Sequence, residues 1–254
     1  MKTKLPYIEL PIKTYSALTE SLLDEKKQVI NEHMLELFIN EERWMTFICS
    51  PTNLEELALG FIWNENIITD LNQVNSVVLS ENLSKININL KIEVERPTNF
   101  HRTTTGITLP NKKNFTEPIL DYSFPVKDLS ALYSRFSDEQ KLHDLVGGFH
   151  SAGLSDGQQI YIIMEDLGRH NCLDKLAGGW LLYEQKFSPS ILMISGRISS
   201  EMVMKSLFIG SRILISRTTP TALAIQIAEK AGMCLVGYMR SRQFNVYSHP
   251  EYLS

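Results

Sequence analysis

The chain reads as an α/β protein: a mixed sheet flanked by helices, preceded by a subdomain rich in β-hairpins. Three observations predict this. Four short apolar runs rich in branched residues, at 159–163, 190–195, 212–216 and 233–238, each lead into a polar turn that carries arginine. After the first three turns, cap residues or apolar residues at helical spacing follow, so the pattern is that of βα units. Ahead of them lie two pairs of strand-like runs, 35–39 with 44–48 and 74–79 with 85–95, joined by polar turns. Finally, 254 residues with 43% hydrophobic content suffice for one large or two modest domains. The division expected is a hairpin and helix region over 1–122, with a long loop at 96–125, and an α/β core over 123–254.

In chain order, residues 1–31 mix charge with scattered apolar positions and predict an irregular or edge-strand lead-in. Asn40-Glu41-Glu42 turns the first hairpin. Ser50-Pro51-Thr52-Asn53-Leu54-Glu55 then starts a helix, with Thr52 and Glu55 spaced as a capping box and Leu54, Leu57, Ala58, Phe61 and Ile62 as its apolar face. Ile86, Ile88, Leu90, Ile92 and Val94 alternate strictly with polar residues, as in a strand with one wet face. Periodicity disappears between 96 and 125, where four prolines and Thr103-Thr104-Thr105-Gly106 read as a long loop, a kind that is usually functional or disordered. Val126, Leu129, Leu132, Tyr133 and Phe136 trace a helix; residues 144–154 lead into a strand, and Asp156-Gly157 turns the chain back.

Whole-chain charge narrows the function. A net charge of −4 and a pI near 5.9 argue against a protein that coats nucleic acid. No apolar run is long enough to span a bilayer, and the first residues do not read as a signal peptide, so none is expected. Cys49, Cys172 and Cys234 lie far apart, odd in number and without metal-ligand spacing. A reducing cytoplasm is the expected compartment, and buried, inert thiols are the expected state of all three.

The chemistry concentrates in the polar turns. Glu165-Asp166-Leu167-Gly168-Arg169-His170-Asn171 sits where a strand hands over to a helix, the edge at which open α/β sheets place ligands. Right-handed crossovers would bring the four turns to one edge, gathering Arg169, Arg197, Arg217 and Arg240 beside helix N-termini, whose free N–H groups favour anions. Four arginines at successive strand exits predict a site for phosphate or another anion. A plainer alternative stands beside it: Asp166 or Asn171 merely caps the helix, and Arg169 with Asp174 is a surface ion pair. His150 follows a glycine pair and reads as a structurally satisfied histidine, while Glu165 and Asp166, being adjacent on a strand end, point apart. P-loop, GxSxG, HExxH and zinc-deaminase patterns are absent from the sequence.

Several of these segments resemble the FdhD/NarQ family. The residues that carry the likeness are Ser50-Pro51-Thr52-Asn53-Leu54-Glu55-Glu56-Leu57 with Gly60-Phe61, Gly147-Gly148-Phe149-His150-Ser151-Ala152, the block 165–171, Ser195-Gly196-Arg197-Ile198-Ser199-Ser200-Glu201-Met202, Pro220-Thr221, and Phe244-Asn245-Val246-Tyr247. The family comprises formate dehydrogenase accessory proteins described as sulfurtransferases. The resemblance implies a cytidine-deaminase-like core without its zinc and a homodimer that binds Mo-bis(molybdopterin guanine dinucleotide), of which GDP mimics half the tail. It implies as partners a formate dehydrogenase and a cysteine desulfurase, whose sulfur travels as a persulfide on a loop cysteine. The cofactor-binding residues it implies are His150, Asp166, Arg169, His170, Asn171, Arg197, Ser199, Ser200 and Arg217, together with Tyr238, Met239, Arg240, Ser241, Arg242 and Gln243. One departure matters: the family's Cys-Gly segment is Thr104-Thr105-Gly106-Ile107-Thr108 here, so Thr105 stands where the sulfur-carrying cysteine would be. A hydroxyl forms no persulfide. The resemblance therefore leaves two expectations, a cofactor-binding protein that carries no sulfur on this loop, or a sulfurtransferase that uses another thiol, with Cys172 nearest the anion site.

Overall fold

The protein was analysed as a computed structural model that describes residues 4–96, 101–103, 106–108, 123–183 and 190–254, with 101–103 and 106–108 as backbone only. Strands β1 (Tyr7–Ser16) and β2 (Ser21–Ile30) form a long antiparallel ribbon of their own, where the sequence predicts an irregular or edge-strand lead-in. Few of its side chains are buried, so the period-2 signal that burial imposes on a strand is weak. Cross-strand polar pairs hold the register instead, Lys13 Nζ with Asp24 Oδ1 at 2.7 Å and Thr14 Oγ1 with Glu25 Oε2 at 3.0 Å.

The two expected hairpins merge into one sheet. Strands β3 (His33–Ile39), β4 (Glu42–Cys49), β5 (Val74–Leu79) and β6 (Lys85–Leu90) lie in the order β4-β3-β6-β5, with β3 and β6 parallel. The ladder on β6 stops at Leu90 although the alternation runs on to Val94, because the side chain of Asn40 takes over the pairing. Its Oδ1 accepts from Leu90 N at 2.7 Å, and its Nδ2 donates to Ile92 O at 3.2 Å. Helix α1 (Leu54–Asn64) covers this sheet with Leu54, Leu57, Ala58, Phe61 and Ile62 all buried. The capping box expected of Thr52 and Glu55 does not form; Asn53 caps in the left-handed conformation and its Nδ2 donates to Glu56 Oε1 at 3.0 Å. A short ribbon follows, β7 (His101–Thr103) with β8 (Gly106–Thr108).

The larger sheet contains β9 (His150–Ser155), β10 (Ile160–Asp166), β11 (Ile191–Ile194), β12 (Ile213–Ser216), β13 (Cys234–Gly237) and β14 (Asn245–Ser248), in the order β10-β9-β11-β12-β13-β14. Strands β11 to β13 are buried at every position, as expected for a sheet covered on both faces. Leu192, Ile194, Leu214 and Leu235 face α4 (Arg169–Leu182), α5 (Ser200–Ile209) and α6 (Ala222–Lys230). Ile191, Met193, Ile213, Ile215, Cys234 and Val236 face α2 (Val126–Asp138). A further short helix, α3 (Lys141–Val146), precedes β9.

The two sheets are joined where α1 crosses α4. A Cβ on Gly60 would lie 1.7 Å from Asp174 O, and one on Gly178 would lie 1.9 Å from Glu56 O. Only glycine lets the two backbones approach this closely. Among the described residues, no helix is long and apolar enough to cross a membrane.

The topology also fixes the working edge. Strand β9 is antiparallel to both β10 and β11, and β11, β12 and β13 are mutually parallel. All four arginine-bearing turns therefore leave the sheet at the same edge, where β9 begins with His150.

Candidate functional site

Strand β10 ends at Asp166, paired in register with His150. The chain turns at Leu167-Gly168 and enters α4 with Arg169 as its first residue. Across β9, strand β11 ends at Ile194, followed by Gly196 and the exposed Arg197, before Ser199 caps α5. Gly196 is in close quarters: a Cβ there would sit 3.3 Å from His150 Nδ1 and 3.5 Å from Arg169 Cβ. The two strand exits and the start of β9 thus share one patch.

The electrostatics of that patch are cationic. Burial and the neighbouring Arg197 both disfavour charge on Arg169, while Glu201 favours it. Burial, then Arg169 and His143, hold His150 below the ordinary histidine range. Burial likewise keeps His170 low despite Glu201, whose Oε2 stands 3.1 Å from His170 Nδ1. Two donors in the patch, Arg169 Nε and Ser199 Oγ, are buried with no hydrogen-bond partner among the described residues, and both nitrogens of His170 lack an aligned one. Buried polar atoms of native proteins are normally satisfied, so unsatisfied donors beside paired arginines mark a place prepared for an acceptor. An anion meets that description.

Asp166 does different work. Its side chain is fully buried, and its Oδ2 lies 2.6 Å from Lys175 Nζ, which is itself fully buried. The same oxygen accepts from Ser50 N at 2.9 Å and Ser50 Oγ at 2.8 Å, while Oδ1 accepts from Gly168 N at 2.9 Å and Asn171 Nδ2 at 2.8 Å. The second donor of Asn171 goes to Ile48 O at 2.8 Å. The carboxylate is committed to shaping the turn that presents Arg169 and to tying that turn to the end of β4. The surface pair expected between Arg169 and Asp174 does not exist, because Asp174 is buried and bound to Lys205 Nζ at 2.7 Å and Asn64 Nδ2 at 2.7 Å.

Toward the other end of the edge, hydroxyls brace the strand exits. Tyr133 Oη donates to Ile194 O at 2.8 Å and accepts from Arg217 N at 3.0 Å, linking the ends of β11 and β12. Ser216 Oγ donates to Gly196 O at 2.6 Å and accepts from Thr218 N at 3.0 Å. Arg217 is exposed. Arg240 spends Nη1 on Arg217 O at 2.7 Å and Met239 O at 2.8 Å, so it fastens two turns together. Met239, named by the resemblance as a cofactor residue, has its side chain in the core at 2% exposure. Tyr238, with φ of 51°, projects outward and lines a hollow of about 350 Å³ with Arg240, Gln243 and Asn245. Ser241, Arg242 and Gln243 line a larger hollow of about 570 Å³ whose floor includes Phe244 and Val126.

The patch at the α4 and α5 starts therefore brings together His150, Arg169, His170, Arg197 and Ser199, with Ser200 half-buried in the first turn of α5. Arg217 and the segment 238–243 belong to the neighbouring exits of the same edge. Thr105 lies outside the described residues. All three cysteines are buried; burial raises Cys49 and Cys234 to about 12 and Cys172 well above the ordinary thiol range. Cys172 Sγ donates to His150 O at 3.2 Å, inside the fold behind the patch. Among the described residues, no three His, Cys, Asp or Glu side chains are arranged to hold a metal ion. Sequence reasoning missed Ser50, Lys175 and Lys205 as supports of the site. Lys175 carried a signal, since a lysine on the inward, apolar face of a predicted helix calls for a buried partner.

Comparison with known proteins agrees with this architecture. The family model described as FdhD/NarQ matches residues 30–254. A sulfur carrier protein FdhD of Bacillus pumilus is 31% identical over 234 residues, covering 88% of this chain and 89% of that protein. One of Staphylococcus aureus is 30% identical over 240 residues, with 91% of each chain covered. The solved structure of a candidate formate dehydrogenase accessory protein from Desulfotalea psychrophila superimposes with a TM-score of 0.83 at 25% identity, over 98% of this chain and all of that one. By sequence and by fold, the chain belongs to the FdhD/NarQ family.

Proposed function

We propose that this protein is an accessory factor of a formate dehydrogenase that grips Mo-bis(molybdopterin guanine dinucleotide) by a pyrophosphate at the sheet edge, and that it carries no sulfur on the 104–108 loop. The observation that supports the grip is the pair of unsatisfied buried donors, Arg169 Nε and Ser199 Oγ, in the patch shared with Arg197 and His150. A pyrophosphate supplies acceptor oxygens and negative charge, which suits two guanidinium groups and the start of a ten-residue helix. GDP, half of the cofactor's tail, carries the same groups. The bound cofactor is the cargo and supplies the molybdenum centre that the client enzyme uses. The residues of this chain would hold the tail: Arg169 and Arg197 by charge-assisted hydrogen bonds, Ser199 and Ser200 at the α5 start, and Arg217 with Tyr238, Ser241, Arg242 and Gln243 along the neighbouring exits. A homodimer, a cysteine desulfurase partner and a cytoplasmic location complete the reading, all on the strength of family membership.

The sulfur part of the proposal rests on Thr105, whose hydroxyl cannot replace a thiolate. Sulfur transfer through Cys172 draws no support from its surroundings, since a fully buried thiol with a raised pKa offers neither thiolate nor access. Intact-mass spectrometry after incubation with a cysteine desulfurase and cysteine tests this. The unmodified protein should gain no sulfane sulfur, and Thr105→Cys should gain one atom on the loop. Persulfide on Cys172 of the unmodified protein would contradict the proposal.

A further inference from the structure

One face of the β1–β2 ribbon is rich in apolar side chains, and it is open. Residues opposite one another in the register share a face, so Ile8, Leu10, Ile12 and Thr14 of β1 stand with Val29, Lys27, Glu25 and Leu23 of β2. Ile8, Leu10, Leu23 and Val29 are each 37–43% exposed. The opposite face carries charge, with Lys13 and Asp24 paired at 2.7 Å and Lys26 and Glu9 at 3.2 Å. A two-stranded hairpin by itself is at best marginally stable in water, so ten-residue strands with such an open face call for a cover. Extension of the ribbon from the edge of β1 is disfavoured by Pro11, exposed in mid-strand and without an N–H to offer.

The layout of the open face fits a second copy of itself. Lys27 and Glu25 stand in adjacent rows of that face, with Nζ and Oε2 3.0 Å apart. A twofold axis running across the strands between these two rows would lay β1 on β1 and β2 on β2 in opposite directions. Lys27 then faces Glu25 of the second copy and Glu25 faces its Lys27, while Leu10 meets Ile12 and Val29 meets Leu23. Charge meets opposite charge and apolar meets apolar, the self-complementarity that an isologous contact requires. We infer that this face is an interface between two copies of the chain, stacked ribbon on ribbon about a twofold axis. The inference gives a surface to the homodimer proposed above from family membership. At about 3.3 Å per residue and about 5 Å per strand, the face offers roughly 300–400 Å² per copy, against about 800 Å² per partner in a standard interface. Ribbon contact alone therefore gives a reversible association.

Sedimentation velocity of the intact chain over a concentration series tests the inference with charge variants. The parent should self-associate reversibly. Lys27→Glu and Glu25→Lys each set like charges opposite one another at two places and should raise the dissociation constant about tenfold. An equimolar mixture of these two variants should associate at least as tightly as the parent, because every opposed pair is again of opposite sign. The double variant Glu25→Lys with Lys27→Glu should also associate like the parent, for the same reason. Leu10→Asp, which places a charge against Ile12 of the second copy, should abolish association. The mixture and the double variant separate loss of contact from loss of folding. A parent that stays monomeric at its highest soluble concentration, or a mixture no tighter than either single variant, would overturn the inference. If the parent is a dimer that none of these variants moves, the homodimer stands on another surface and the inference fails.

Discussion

Replacing Lys175 by methionine would remove the only cation that touches the buried Asp166 carboxylate among the described residues, with little change in side-chain length. In the parent, Lys175 Nζ lies 2.6 Å from Asp166 Oδ2 and 2.8 Å from Ser50 Oγ, with Ser50 O, Thr52 Oγ1 and Glu165 O at 3.4–3.5 Å. Methionine satisfies none of these oxygens. Asp166 would keep its four hydrogen bonds but carry an uncompensated charge at zero exposure. Breaking a buried pair by removing one partner costs about 3–5 kcal/mol. For a chain of this size each kcal/mol moves Tm by roughly 2–4 °C, so Lys175→Met should melt roughly 6–20 °C below the parent. The double variant Asp166→Asn with Lys175→Met removes both charges and should recover part of the loss, with a coupling energy of about 1–3 kcal/mol. Guanidinium unfolding of the four proteins, followed by circular dichroism, measures the cycle. A Lys175→Met loss under about 1 kcal/mol, or a double variant no more stable than Lys175→Met, would refute the reasoning that this pair fastens β4 to the start of α4.

Two further outcomes are expected. Burial and Arg169 depress the His150 pKa below its ordinary 6.5, so the native state binds this proton less readily than the unfolded chain. Its contribution to stability is therefore present above pH 6.5 and is lost as pH falls through the depressed folded value. His150→Gln should lose less stability than the parent between pH 7.5 and roughly pH 5, measured as denaturant midpoints, and parallel curves would count against this. At the helix crossing, Gly178→Ala should destabilise by at least about 1–3 kcal/mol, because the new methyl meets the Glu56 carbonyl of α1 and not a movable side chain. A rise in Tm from the better helix propensity of alanine would show that the crossing is looser than described.

What the sequence revealed and what it concealed follow from range. The exits of β10 to β13 were legible because each pairs an apolar four- to seven-residue strand with a polar turn, a local signal. Their gathering on one edge followed from the handedness of crossovers. The apolar faces of α1 and α2 were legible for the same local reason. The β1–β2 ribbon was not, since its side chains are mostly exposed and lack the alternation that burial writes into a strand. Nor were the supports of the site. Ser50 and Asp166 are 116 residues apart, and Asn64 and Asp174 are 110 apart. Nothing in local spacing pairs them; they meet only because α1 and α4 cross at two glycines. Sequence also could not show that the Asp166 carboxylate, the Met239 side chain and Nη1 of Arg240 already have neighbours within the fold. It identifies polar or motif residues at a strand exit but not the neighbours that already occupy them.

The central claim is that the strand-exit patch holds a phosphate-bearing ligand through Arg169 and Arg197. Calorimetric titration of the folded protein with GDP tests it most directly, comparing the parent with Arg169→Ala and Arg197→Ala. Each substitution removes charge-assisted hydrogen bonds contributing ~1.5–3 kcal/mol, so each should weaken binding roughly ten- to a hundredfold without changing the circular dichroism spectrum. Lysine at either position should restore only part of the affinity, because it lacks the planar fork of arginine. Parent-like affinity in both alanine variants would contradict the account, leaving these arginines as structural residues and the ligand, if any, elsewhere.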